Sequence, residues 1–116
     1  MPIVEVLTPP SLNSRLETTA RRYATRLAVQ DETRALTFAE FSDEVGTLAE
    51  RLQLVIEPGD HVAVQLPRGL DYIVAAYAIW QAGGVYLPLD DQWPSSRIEG
   101  ILQRSHVRVL IHASQA

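Results

Sequence analysis

Residues 80–102, "WQAGGVYLPLDDQWPSSRIEGIL", decide the fold of this chain. An apolar helix-like run ends in Gly83-Gly84, a short apolar run follows, and Pro88 closes it. Asp90 and Asp91 then lead to Pro94, which opens a more polar helix-like segment. Gly83 suits a left-handed helix C-cap. Pro88 cannot donate to a sheet ladder, and Pro94 fits the first turn of a helix. The stretch therefore predicts a helix, a sharp turn, a strand, a second turn and a helix.

Upstream, "RGLDYIVAAYAIWQAG" (68–83) is apolar on nearly every side, so the helix it predicts must be covered on most of them. "HVAVQLP" (61–67) predicts a short strand, entered through the turn "EPGD" (57–60). Before that turn, Thr37 and Glu40 have the spacing of a capping box, opening a helix through "AEFSDEVGTLAERLQ" (39–53). Phe41, Val45, Leu48 and Leu52 share one side of it, and Asp43 and Glu44 lie near its positive end. Gly46 costs that helix about 1 kcal/mol relative to alanine, a cost that a closely approaching neighbour would account for.

"LAVQ" (27–30) and "ALTF" (35–38) predict two short strands joined by the polar turn "DETR". Further back, Ser11 stands behind Pro9 and Pro10 as a helix N-cap, with Leu12, Leu16, Ala20, Tyr23 and Leu27 on one apolar face. Downstream, Ile98, Ile101 and Leu102 face inward from the polar helix, and "VRVLIHA" (107–113) predicts a last strand. The order is helix, two strands, helix, strand, helix, strand, helix, strand. This is the α/β class, with a partly parallel sheet, flanking helices and an open sheet edge. Residues 1–116 fit one domain, with no repeat or long linker.

Apolar residues make up 47% of the chain and charged residues 21%, which is ordinary globular usage. The formal net charge of −4 gives no broad basic surface for nucleic acid. The longest apolar run is broken by Gln81, Gly83, Gly84 and Pro88, so no membrane span is expected, and the N-terminus lacks a signal-peptide layout. The expected setting is cytoplasmic. Cysteine is absent, which excludes disulfides, zinc thiolate sites and thiol catalysis. All ten basic residues are arginine. Chemistry that needs a lysine amine cannot be run by this chain alone.

No motif supplies catalysis. The glycine pair lacks the spacing of a dinucleotide or phosphate loop. His61, His106 and His112 are scattered without metal-ligand spacing and read as edge or surface residues. Asp90-Asp91 is better explained as a strand terminator than as a magnesium site. Tyr77, Trp80, Tyr86 and Trp93 suggest packing or an interface before a planar-ligand site, and Tyr77, Trp80 and Trp93 are the candidate interface residues.

Several segments together resemble amino-acid adenylation domains of nonribosomal peptide synthetases, in the acyl-adenylate-forming superfamily. Gln81-Ala82-Gly83, Val85-Tyr86-Leu87-Pro88-Leu89-Asp90 and Trp93-Pro94-x-x-Arg97 resemble that family's second core motif. Leu36-Thr37-Phe38-Ala39-Glu40-Phe41 resembles its first. "EPGDHVAVQLPRG" resembles the stretch between them, and "RLAVQDETRALTF" the opening strand pair. The likeness runs from about Leu12 to Ala113. Departures are Phe38 for tyrosine, Phe41 for leucine, Gln81 for lysine, and Asp91 where proline is frequent.

The resemblance implies the N-terminal part of an adenylation domain's N-terminal subdomain. It implies that the whole enzyme joins a carboxylic acid to AMP with ATP and Mg²⁺, and that the phosphate loop, substrate pocket, ribose-binding aspartate and C-terminal lysine match no position here. The expectation is a layer that carries no catalytic, cofactor or metal residue of its own. It would act with the remaining adenylation fragment or another synthetase protein. A self-associating interaction module, such as a homodimer, is the alternative, and a free-standing nucleotide-binding enzyme is disfavoured.

Overall fold

A computed structural model describes residues 12–113. Its elements follow the expected order: α1 Leu12–Arg22, β1 Leu27–Gln30, β2 Ala35–Thr37, α2 Phe38–Gln53, β3 His61–Gln65, α3 Leu70–Ala82, β4 Val85–Pro88, α4 Ser95–Arg104 and β5 Val109–His112. The first two strands form an antiparallel hairpin. The other three form a parallel sheet in the order β4-β3-β5. The α/β class and the mixed strand directions agree with the sequence.

Alternation along β3 builds two cores. Val62 and Val64 point to one face, into a cluster with Phe41, Val45, Leu70 and Ile79 from α2 and α3. Ala63 points to the other, against Leu89 and Ile98. All three strand residues are fully buried. Leaving β3, the chain crosses to β4 by way of α3. It then returns past β3 to β5 by way of α4. Two right-handed crossovers run in opposite directions must put their helices on opposite faces, and the two clusters show that they do.

The glycine pair is explained by two different constraints. Gly83 caps α3 in the left-handed region, with φ 86°, and the Gly84 N–H donates to Ile79 O at 2.9 Å. That pair of features is a Schellman-type stop. At Gly84 the limit is space: a Cβ there would lie 3.1 Å from Ile79 Cγ2 and 3.2 Å from Ile56 Cδ1. The Gly83 carbonyl accepts from the Gly59 N–H at 2.8 Å, tying the junction to the turn that precedes β3.

The capping box is present: Glu40 N–H donates to Thr37 Oγ1 at 3.2 Å, and Thr37 N–H donates to Glu40 Oε1 at 2.9 Å. Three expectations need correction. The apolar face assigned to the first helix is too long, because α1 ends at Arg22. There the Tyr23 N–H bonds Thr19 O, the Arg26 N–H bonds Tyr23 O, and the Tyr23 ring lies under the Arg22 and Arg26 guanidinium groups. Leu27 instead opens β1 and is 57% exposed. Phe38 begins α2 rather than ending a strand, since Thr37 is the cap. Gly46 has no close neighbour, for a Cβ there would meet nothing within 4 Å. The Ser11 cap lies outside the described residues.

Two substitutions separate these glycines. Gly46→Ala is expected to stabilise the chain by up to about 1 kcal/mol, because only helix propensity changes. Gly83→Ala is expected to cost about 1–2 kcal/mol, because alanine pays for a left-handed backbone. Urea unfolding followed by circular dichroism measures both.

Candidate functional site

A recess opens where the C-terminal ends of β3 and β5 meet the start of α3. It is a cleft of about 850 Å³. Because the chain leaves β3 for one neighbour and returns to the other, this is the topological switch point of the sheet, the usual ligand position in open α/β folds. Its floor includes Leu48, Leu66, Val74 and Ile111.

Charged side chains stand around this cleft, and Glu44 and Asp71 among them pair with Arg34. Arg34 reaches from the hairpin turn to Glu44 on α2, at 2.7 Å, and to Asp71 in the first turn of α3. Asp31 performs two tasks from the same turn. Its Oδ1 accepts the Thr33 and Arg34 N–H groups at 2.9 and 3.0 Å, closing the turn. Its Oδ2 accepts the Leu70 N–H at 2.9 Å, so the hairpin caps a helix 39 positions away. The helix needs this acceptor because Gly69, at its N-cap, has no side chain. Gly69 also gives the carboxylate room: a Cβ there would lie 3.0 Å from Asp31 Oδ2. The backbone N–H of Leu70, followed by those of Arg34 and Thr33, holds the Asp31 carboxyl well below the ordinary carboxylate range.

The sequence candidates fall in two places. Tyr77 and Trp80 meet edge to face at 5.5 Å on the α2/α3 side of the sheet, in an aromatic row that continues through Tyr86 to Tyr72. Burial, with the Tyr72 hydrogen bond second, pushes the Tyr86 phenol above its ordinary range. Trp93 sits on the opposite face with Ala63, Leu89 and Ile98, under the Arg97 guanidinium at 4.2 Å. It lines a smaller recess with Asp90 and Asp91. Asp90 Oδ1 accepts the Gln92 N–H at 2.8 Å, so Asp90 builds the turn before α4. His61 Nδ1 lies 2.6 Å from Ser105 O and joins β3 to the end of α4, while His112 ends β5 beside the large cleft.

Among the described residues no group of three His, Asp or Glu side chains is placed to hold a metal ion. Sequence reasoning missed Asp31 and Arg34. The Asp-x-Thr pattern of the turn signals a side chain bonded to its own backbone, but no local pattern points to Leu70, Glu44 or Asp71.

A family model described as AMP-binding enzyme matches residues 16–116. The chain is 73% identical over 113 residues to the dapdiamide synthesis protein DdaD of Enterobacter agglomerans, covering 97% of this chain and 20% of that protein. It is 39% identical to the phosphinothricin tripeptide synthetase PhsC of Streptomyces viridochromogenes, covering 87% of this chain and 9% of that one. Among solved structures, the nonribosomal peptide synthetase FmoA3 in its AMPPNP-bound form superposes with a TM-score of 0.87 at 29% identity. That match covers 95% of this chain and 12% of FmoA3. The N-terminal subdomain of Klebsiella oxytoca NpsA shares the fold, with a TM-score of 0.81 at 23% identity, over 93% of this chain and 29% of that one. The chain thus spans a fifth or less of the length of the two relatives named.

The trans cap gives an acid response of known sign. A carboxyl depressed in the folded state contributes stability above its unfolded value, near 3.9, and loses it as pH falls further. The urea midpoint of the parent chain is expected to fall between about pH 4 and pH 2. Asp31→Asn, which carries no charge to titrate, flattens that decline, with the Glu40 capping carboxylate, also depressed by its Thr37 backbone bond, supplying what remains.

Proposed function

This chain belongs to the AMP-binding enzyme family, and on that premise we propose that it is the supporting N-terminal layer of an adenylation enzyme of the nonribosomal peptide synthetase kind. The complete enzyme activates a carboxylic acid with ATP and Mg²⁺, forming an acyl-adenylate and pyrophosphate. The observation that carries this reading is the superposition of 95% of the chain on a peptide synthetase, at a TM-score of 0.87. The likeness to a dapdiamide synthesis protein supports a place in the biosynthesis of a peptide-like product, with an antibiotic as one such product. A cytoplasmic setting follows from the need for ATP.

The layer's contribution is positional. It holds no lysine and no phosphate loop, so the reacting groups come from the remainder of the enzyme. That remainder packs on the large cleft, over an apolar floor that includes Leu48, Leu66, Val74 and Ile111. Tyr77 and Trp80 on one side of the sheet and Trp93 on the other are then two separate contact patches. A self-associating module is the second reading, favoured by the outer edges of β4 and β5, which pair with no other strand among the described residues. A concentration-independent monomer in light scattering overturns it.

The test is amino-acid-dependent ATP–pyrophosphate exchange by this chain mixed with the complementary fragment of a related adenylation domain. Exchange is expected from the mixture and not from either part. A verified complex that gives none refutes the reading. Leu48→Asp, in the cleft floor, is expected to weaken reassociation roughly 30-fold, equivalent to about 2 kcal/mol.

A further inference from the structure

The turn between β1 and β2 is one wall of the large cleft. Asp31 and Thr33 line the cleft from that turn, and Gly69, Asp71 and Val74 line it from α3 and the loop before it. The body of the hairpin rests on α2: Leu36 is buried in the shared core, and Ala28 and Val29 pack against it. The turn itself has no apolar side chain to hold it, since residues 31–34 are Asp-Glu-Thr-Arg. Its position relative to α3 is set by two polar side chains.

Asp31 spends one oxygen on its own turn, where Oδ1 also accepts from Thr33 Oγ1 at 2.9 Å, and the other on the Leu70 N–H. Arg34 divides its guanidinium in the same way, with Nη1 donating to Glu44 on α2 and Nη2 to Asp71 on α3. The two bonds to α3 leave from opposite ends of a four-residue turn and land on adjacent residues, Leu70 and Asp71. Two anchors so placed fix the orientation of the turn as well as its position, whereas one alone leaves a pivot. An exposed ion pair contributes little by itself. Here the second anchor is a carboxylate that also supplies the cap Gly69 lacks.

We propose that Asp31 and Arg34 are positioning residues: they clamp the hairpin turn to the start of α3, so that the remainder of the enzyme docks against a preformed cleft wall. A wall already in place adds no ordering cost to association. The docking half of this proposal rests on the reading of the chain as a layer of an adenylation enzyme, and the clamped turn does not.

Two measurements keep those halves apart. The chain has no cysteine, so nitroxide labels can be placed on Glu32→Cys in the turn and Ile73→Cys on α3, a position already 39% exposed. Pulsed electron paramagnetic resonance is expected to give a narrow distance distribution in this labelled parent and a clearly broader one when Asp31→Asn or Arg34→Ala is added. Asparagine offers one acceptor oxygen where the clamp uses two, so Asp31→Asn can close the turn or cap α3 but not both. An unchanged circular dichroism spectrum separates release of the turn from unfolding. In unlabelled chains, both substitutions are expected to weaken binding of the complementary adenylation fragment roughly tenfold, with excess fragment restoring ATP–pyrophosphate exchange. Equal distance distributions in parent and variants overturn the proposal. So do broadened distributions with unchanged affinity for the fragment. A parent chain that binds no fragment sinks the adenylation reading instead, and the label distances still decide whether the turn is clamped.

Discussion

Strand β3 must be covered on both faces and paired on both edges, and the rest of the fold is arranged to meet that demand. Val62, Ala63 and Val64 leave no surface to water, so each neighbour is needed. β4 and β5 satisfy the backbone. α2 and α3 cover one face, and α4 covers the other. Removing any one of these exposes apolar side chains or unpaired peptide groups in the centre of the structure.

Much of this arrangement was legible from local pattern. Gly83, Pro88 and Pro94 punctuate the chain by backbone geometry alone, and the structure places a cap, a strand end and a helix start at those positions. The Thr37–Glu40 box is equally local. The errors arose where a periodic pattern ran past its element. Tyr23 and Leu27 continue the spacing of α1, yet the chain turns before them, because arginine–tyrosine stacking and the hairpin take precedence. Gly46 misled in the opposite sense, suggesting a crowded neighbour where there is open space.

The candidate site was less legible. Leu48 on α2, Leu66 just past β3 and Ile111 on β5 are far apart in sequence, and only the strand order brings them to one recess. Asp31 and Arg34 were visible merely as a polar turn. Their partners Leu70 and Asp71 lie nearly 40 positions on, and no spacing rule spans that interval. The family likeness was readable because it rests on contiguous core motifs. Those same motifs build the scaffold: Thr37 and Glu40 cap α2, and Gly83, Pro88 and Pro94 punctuate α3, β4 and α4.

The carboxylate of Asp31 has a kinetic consequence. A contact spanning 39 positions cannot form until the segment between its ends has been organised. If the hairpin docks only after β3 and α3 have assembled, its contact forms on the native side of the folding barrier. Weakening that contact leaves the refolding rate nearly unchanged and speeds unfolding. In a chevron plot only the high-denaturant arm moves, which makes this side chain a latch on the lifetime of the native state.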